Sequence, residues 1–141
     1  MLHESLAAPH PSRLRVLVVD DHGDCACSLA LLLRTWGHDV NMANDGPAAL
    51  RLAAEQQPDV VLLDIGLPTM DGFKVAQALR AQAVVRRPMI IAQTGHCLPE
   101  HLHQSREAGI DLHLSKPVDL PALERVLERF EALVRPARAA R

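Results

Sequence analysis

Residues 58–72 read PDVVLLDIGLPTMDG. Val60, Val61, Leu62 and Leu63 form a continuous apolar run that stops at Asp64. A run of four is strand length, and its lack of alternation predicts a strand covered on both faces, as in a parallel sheet. Asp71-Gly72 then opens a helical segment, with Phe73, Ala76, Leu79 and Arg80 on one face. The stretch is therefore one strand, an acid at its carboxyl end, and a helix that follows.

The same unit recurs on either side. Residues 14–19 (LRVLVV) run into Asp20 and Asp21. Residues 89–92 (MIIA) end near Thr94, and residues 110–114 (IDLHL) end before Ser115 and Lys116. Residues 39–43 (DVNMA) alternate weakly and read as an edge strand. Between these runs lie amphipathic segments. Leu29, Leu32, Leu33 and Trp36 fall at i, i+3, i+4 and i+7, with Gly37 as the stop. Asp45-Gly46-Pro47 supplies a cap and a first-turn proline for a second helix. Pro99 opens a fourth, apolar only at Leu102 and Ala108 and ending near Gly109. Asp119 caps a fifth, with Leu120, Leu123, Leu127, Phe130 and Val134 on its buried stripe. Five strand–helix repeats predict an α/β, doubly wound parallel sheet with right-handed crossovers. The folded domain is expected over residues 13–134. Residues 1–12 and 135–141 are expected as tails, the second basic and disordered.

Whole-chain numbers agree with one soluble domain. The 141 residues are 48% apolar and 23% charged, with a formal charge of −2. That balance supplies no global basic field for nucleic acid or anionic lipid. Aromatics are limited to Trp36, Phe73 and Phe130, so the core is aliphatic. Three cysteines and no secretory leader at the start argue for reduced thiols and a cytoplasmic protein, and no apolar run approaches a membrane span. Cys25 and Cys27, at i,i+2, share no helix face, which argues against a metal pair, and they are read as small buried hydrophobes. His96, His101 and His103 lack metal-ligand spacing and are read as surface residues.

In doubly wound sheets, ligands bind outside the carboxyl ends of the strands. Those ends carry Asp20 and Asp21, Asp64, Thr94 and Lys116: three carboxylates, a hydroxyl and an ammonium. The first turn, DDHGD at residues 20–24, repels a bare phosphate. Acids gathered in a cleft need a hard divalent cation, and Mg2+ takes a few carboxylates plus water and phosphate oxygen. With the cation bound, the cleft accepts a phosphoryl group. Asp64 is then the nucleophile of an aspartyl phosphate. Lys116 and the Thr94 hydroxyl neutralise and bind the remaining phosphoryl oxygens.

The stretches at 16–21 (VLVVDD), 58–72, 93–95 (QTG) and 115–117 (SKP) together resemble the receiver domain of bacterial two-component response regulators, over residues 13–134. The DIGLP wording at 64–68 also resembles receivers appended to hybrid sensor kinases. The resemblance implies a flavodoxin-like fold: a five-stranded sheet in order 2-1-3-4-5, five helices and three layers. It implies Asp64 as phosphoacceptor, with Mg2+ held by Asp21, Asp64 and the Gly66 carbonyl, and by Asp20 partly through water. It implies a cis bond at Lys116-Pro117 and a switch through Thr94 to position 113, where His113 replaces the usual aromatic. The implied phosphodonor is a histidine kinase or histidine phosphotransfer protein. The output partner would meet the face formed by the fourth helix, fifth strand and fifth helix, with no nucleic acid or membrane contact.

Other chemistries fit less well. A phosphatase of the haloacid dehalogenase type needs Asp-x-Asp after strand one, where this chain has adjacent acids. A flavin carrier needs a hydroxyl- or glycine-rich first loop and flanking aromatics. A P-loop is absent.

Overall fold

The computed structural model describes residues 13–65, 71–82, 87–95 and 99–139. The element order is β1 (Arg15–Val19), α1 (Gly23–Thr35), β2 (Asp39–Ala43), α2 (Gly46–Gln56), β3 (Val60–Asp64), α3 (Gly72–Ala81), β4 (Met89–Thr94), α4 (Pro99–Ala108), β5 (Leu112–Ser115) and α5 (Leu120–Ala139). All five strands are parallel, in the order β2-β1-β3-β4-β5, the flavodoxin-like topology. β2 is an edge, as its weak alternation predicts.

Strand periodicity divides the core in two. Leu17, Val19, Val61, Leu63, Ile90 and Ala92 pack towards Ala49 and Ala53 of α2, Phe73, Ala76 and Leu79 of α3, and Ala108 of α4. The alternate residues Val16, Val18, Val60, Leu62 and Ile91 pack towards Ala26, Ala30 and Leu33 of α1, and Leu123 and Leu127 of α5. These are the three layers. Every residue of β3 is buried, which is why that run carries no alternation.

Local signals end the helices where the sequence places them. Asp45 accepts a hydrogen bond from the Ala48 N–H at 2.9 Å, and Asp119 one from Ala122 N–H at 3.1 Å. Gly37 and Gly109 follow α1 and α4 at φ of +97° and +89°, conformations that side chains resist. The strands differ in extent from the apolar runs. β4 includes Gln93 and Thr94, because these pair with Asp64 and Ser115. β5 begins only at Leu112; the Asp111 carboxylate, two residues after Gly109, instead accepts from Ile90 N–H and from Arg80.

The ends also differ. α5 continues to Ala139, so most of the stretch expected as a disordered tail is helical. Arg135, Ala137, Arg138 and Ala139 are good helix formers and extending an existing helix needs no new nucleus, so the helix runs on past Pro136 despite its missing N–H. Residues 1–12 and 140–141 lie outside the described residues, as does Cys97. Cys25 and Cys27 are exposed, not buried. The buried stripe of α1 runs through Ala26, Ala30 and Leu33, and the cysteines fall to either side of Ala26. His103 is exposed as expected, while His96 lies outside the described residues.

His38 gives the fold a pH dependence. It is buried, its Nδ1 has no hydrogen-bond partner, and its pKa is lowered, first by burial and then by the nearby Arg13 guanidinium, against a smaller opposing pull from Glu131. Arg13 is itself held by Glu131 at 2.8 Å and by the Trp36 carbonyl at 2.7 Å. As pH falls below the ordinary histidine value of about 6.5, the unfolded chain takes up a proton before the folded one does, so stability declines. The loss is complete once pH has dropped through the folded value. Urea midpoints measured on either side of that window should fall for the wild type and fall less for His38→Leu. Equal declines would assign the acid sensitivity elsewhere.

Candidate functional site

The carboxyl edge of the sheet collects the chemistry. Asp20 follows the last residue of β1, and its N–H continues the pairing with β2 by donating to the Ala43 carbonyl. Asp64 ends β3, in register with Gln93. Asp20 and Asp64 are each only 6% exposed, whereas Asp21 is open to solvent. Burial of Asp20 is compensated in part by the His22 N–H, which donates to its Oδ1 at 2.9 Å.

Opposite the acids stands one ammonium. Lys116 Nζ lies 3.4 Å from Asp64 Oδ2. Its backbone N–H donates to the Thr94 carbonyl at 2.7 Å, and the Lys116-Pro117 bond is cis. Thr94 ends β4 in register with Ser115 and is half-buried. Register puts it one residue beyond the partner of Asp64, at the same edge. His113 pairs with Ala92, two residues back from that edge, and is half-buried. Residues two apart on a strand share a face, so His113 belongs to the same sheet side as Ala92 and Thr94. Gly66 lies outside the described residues.

Sequence reasoning passed over two participants. The first is His22. It is the N-cap of α1, yet its side chain caps nothing. Its Nδ1 stands 3.2 Å from Asp21 Oδ1 and 3.3 Å from Asp20 Oδ1. Asp20, Asp21, His22 and Asp64 each offer a ligand atom, all within 4.8 Å of one another. The only sequence signal was a histidine directly after the acid pair. The second is Gly72, read simply as a helix start. Its N–H donates to the Ile65 carbonyl at 3.1 Å, and a Cβ there would stand 2.6 Å from Ile65 Cα. The backbone of α3 thus presses directly on the chain that leaves Asp64.

The donor set suits a divalent cation. Several carboxylates held this close repel one another, and a bound dication turns that repulsion into attraction. A cavity of about 470 Å³ borders the site, lined by Asp20, Gln93 and Lys116 together with Cys25, Leu29, Leu32 and Val118.

This pattern has relatives. The family model for the response regulator receiver domain matches residues 16–128. The chain belongs to the response regulator receiver domain family. The receiver is 37% identical over 126 residues to the sensor histidine kinase RcsC of Salmonella typhi, covering 89% of this chain and 13% of that protein. It is 40% identical over 121 residues to the transcriptional regulatory protein PrrA of Mycobacterium tuberculosis, covering 86% and 50%. The chain thus spans half or less of the length of these relatives. Among solved structures, the receiver domain of sensor histidine kinase PA1611 from Pseudomonas aeruginosa is 33% identical with a TM-score of 0.76, covering 84% of this chain and 98% of that one. That structure holds a magnesium ion in its active-site cleft. The chemotaxis protein CheY4 of Vibrio cholerae is 30% identical with a TM-score of 0.77, covering 82% and 97%. Receiver domains are signalling modules of two-component systems that work with histidine kinases and output domains. Among the described residues, no helix of this one is long and apolar enough to cross a membrane.

Proposed function

We propose that this receiver, acting through residues 13–134 in the cytoplasm, accepts a phosphoryl group on Asp64 from a phosphohistidine and switches partner binding in response. The donor is a histidine kinase or a histidine phosphotransfer protein. The observation that carries the reading is the Asp64 carboxylate at the end of β3, 3.4 Å from the Lys116 ammonium and grouped with Asp20 and Asp21.

In the reaction, an Asp64 carboxylate oxygen attacks phosphorus in line with the P–N bond. The new P–O bond forms as P–N breaks, and the electron pair returns to the donor imidazole. Asp20, Asp21 and Asp64, with the Gly66 carbonyl, would hold Mg2+, which offsets phosphoryl charge when bound. Lys116 offsets charge from the opposite side. Thr94 donates its hydroxyl to the phosphoryl group and, in doing so, moves towards it. His113, on the same sheet side, is the candidate second switch residue. The face formed by α4, β5 and α5 is the proposed output surface. The chemistry is that of a phosphoacceptor module, not of a turnover enzyme.

Incubation with acetyl phosphate and Mg2+, read by intact mass, tests the reading. One phosphoryl group should be added, and chelation of Mg2+ should prevent it. An unlabelled protein under both conditions would refute it. Thr94→Ala should separate chemistry from response. Its phosphorylation should stay within about tenfold of wild type, because a single hydroxyl hydrogen bond is worth about 1 kcal/mol. The chemical-shift changes that phosphorylation causes in β5 and α5 should be lost. Complete failure of Thr94→Ala to accept phosphate would make Thr94 part of the transfer machinery.

A further inference from the structure

The acid cluster contains a nitrogen donor that a carboxylate pocket for Mg2+ does not require. Ligand atoms adjacent on an octahedron with bonds of about 2.1 Å stand about 3 Å apart. His22 Nδ1 lies 3.2 Å from Asp21 Oδ1 and 3.3 Å from Asp20 Oδ1, the latter a hydrogen-bond contact that a bound cation would replace, so the nitrogen already meets that spacing with both acids at once. The separation to every other ligand atom of the group, Asp64 included, stays within 4.8 Å. Nor is the ring engaged elsewhere as a helix cap. Its backbone is tied to the cluster as well, because the His22 N–H holds Asp20 Oδ1 at 2.9 Å.

We infer that His22 is a ligand of the cation bound by this acidic cluster, and that it shifts the site towards first-row transition ions such as Co2+. This rests on the reading that Asp20, Asp21 and Asp64 hold a divalent ion. Mg2+ is a hard ion that favours oxygen and gains little from an imidazole. Borderline ions bind imidazole well, and mixed nitrogen–oxygen sites favour them in the order Mn2+, Co2+, Ni2+. The side chain is 68% exposed, so the ring can adjust by small rotations without disturbing the core.

The test is calorimetric titration of the full chain with Co2+ and, separately, Mg2+, on wild type, His22→Ala and Asp21→Asn. Loss of a histidine that ligates should weaken Co2+ by about tenfold or more, the scale of changes around metal sites, and leave Mg2+ within about twofold. In the wild type, Co2+ should also give the His22 ring signals the large contact shifts of a coordinated imidazole, beyond the through-space shift of a ring that is only nearby, an NMR readout independent of affinity. Equal changes for the two ions in His22→Ala, or His22 ring signals with no more than the through-space shift when Co2+ is bound, would overturn the inference while leaving the acid site intact. Unchanged binding of both ions in Asp21→Asn would instead overturn the acid-site reading beneath it.

Discussion

Asp64→Asn should take up no phosphoryl group from acetyl phosphate and Mg2+ under conditions that label the wild type fully. The amide keeps the size and shape of the carboxylate but has no anionic oxygen to attack phosphorus. It also removes one negative charge from a group of ligand atoms within 4.8 Å of one another, so cation affinity should fall as well. Folding should survive. The substitution takes away an ion pair with Lys116 at 3.4 Å, but it also relieves repulsion from Asp20 and Asp21. A melting temperature at or above that of wild type, with no added mass, is the expected pair of results. Label retained by Asp64→Asn would move the acceptor to another residue.

Gly72→Ala should be strongly destabilising, because its methyl group meets backbone and not side chain. The added Cβ would meet Ile65 Cα at 2.6 Å, Ile65 O at 2.9 Å and Asp64 O at 3.0 Å. All three are backbone atoms, so no side chain can rotate away. Either α3 must move outwards, opening the packing of Phe73 and Ala76 against β3, or the chain after Asp64 must shift. Overpacking of this kind costs about 2–3 kcal/mol. In a domain of this size that is roughly 8–12 °C in melting temperature. Phosphorylation should slow too, because displacement of the Asp64 carbonyl carries its carboxylate with it. Gly23 and Gly95 serve as controls, since a Cβ at either meets nothing within 4 Å. A Gly72→Ala melting temperature equal to that of Gly95→Ala would show that the junction yields freely.

Much of this molecule was legible in its sequence because two period rules act almost alone. Fully apolar runs could only be covered strands, and the strand-end rule then collected Asp20, Asp64, Thr94 and Lys116 without any coordinates. What escaped depends on three-dimensional partners. Gln93 and Thr94 look like loop residues by composition, but β3 and β5 supply hydrogen bonds that extend β4 through them. Cys25 and Cys27 looked fit for burial, yet Ala26 takes the inward position of that turn. The extension of α5 to Ala139 reflects propagation from a helix already docked through Leu123 and Leu127. His22 escaped because its part turns on where its ring lies, a matter of side-chain rotation at an N-cap that sequence pattern does not encode.

The strand order has one more consequence. β1 and β3, which deliver Asp20 and Asp64, are hydrogen-bonded on both sides, whereas β5, which leads to Lys116, is bonded only to β4. Every residue of β3 is buried, and none of β5 is. The acids therefore sit on an anvil, and the ammonium hangs from a rim. If Asp64 takes up a phosphoryl group as proposed, the new charge at the centre would do its mechanical work where resistance is least, outwards down a gradient of stiffness built into the sheet.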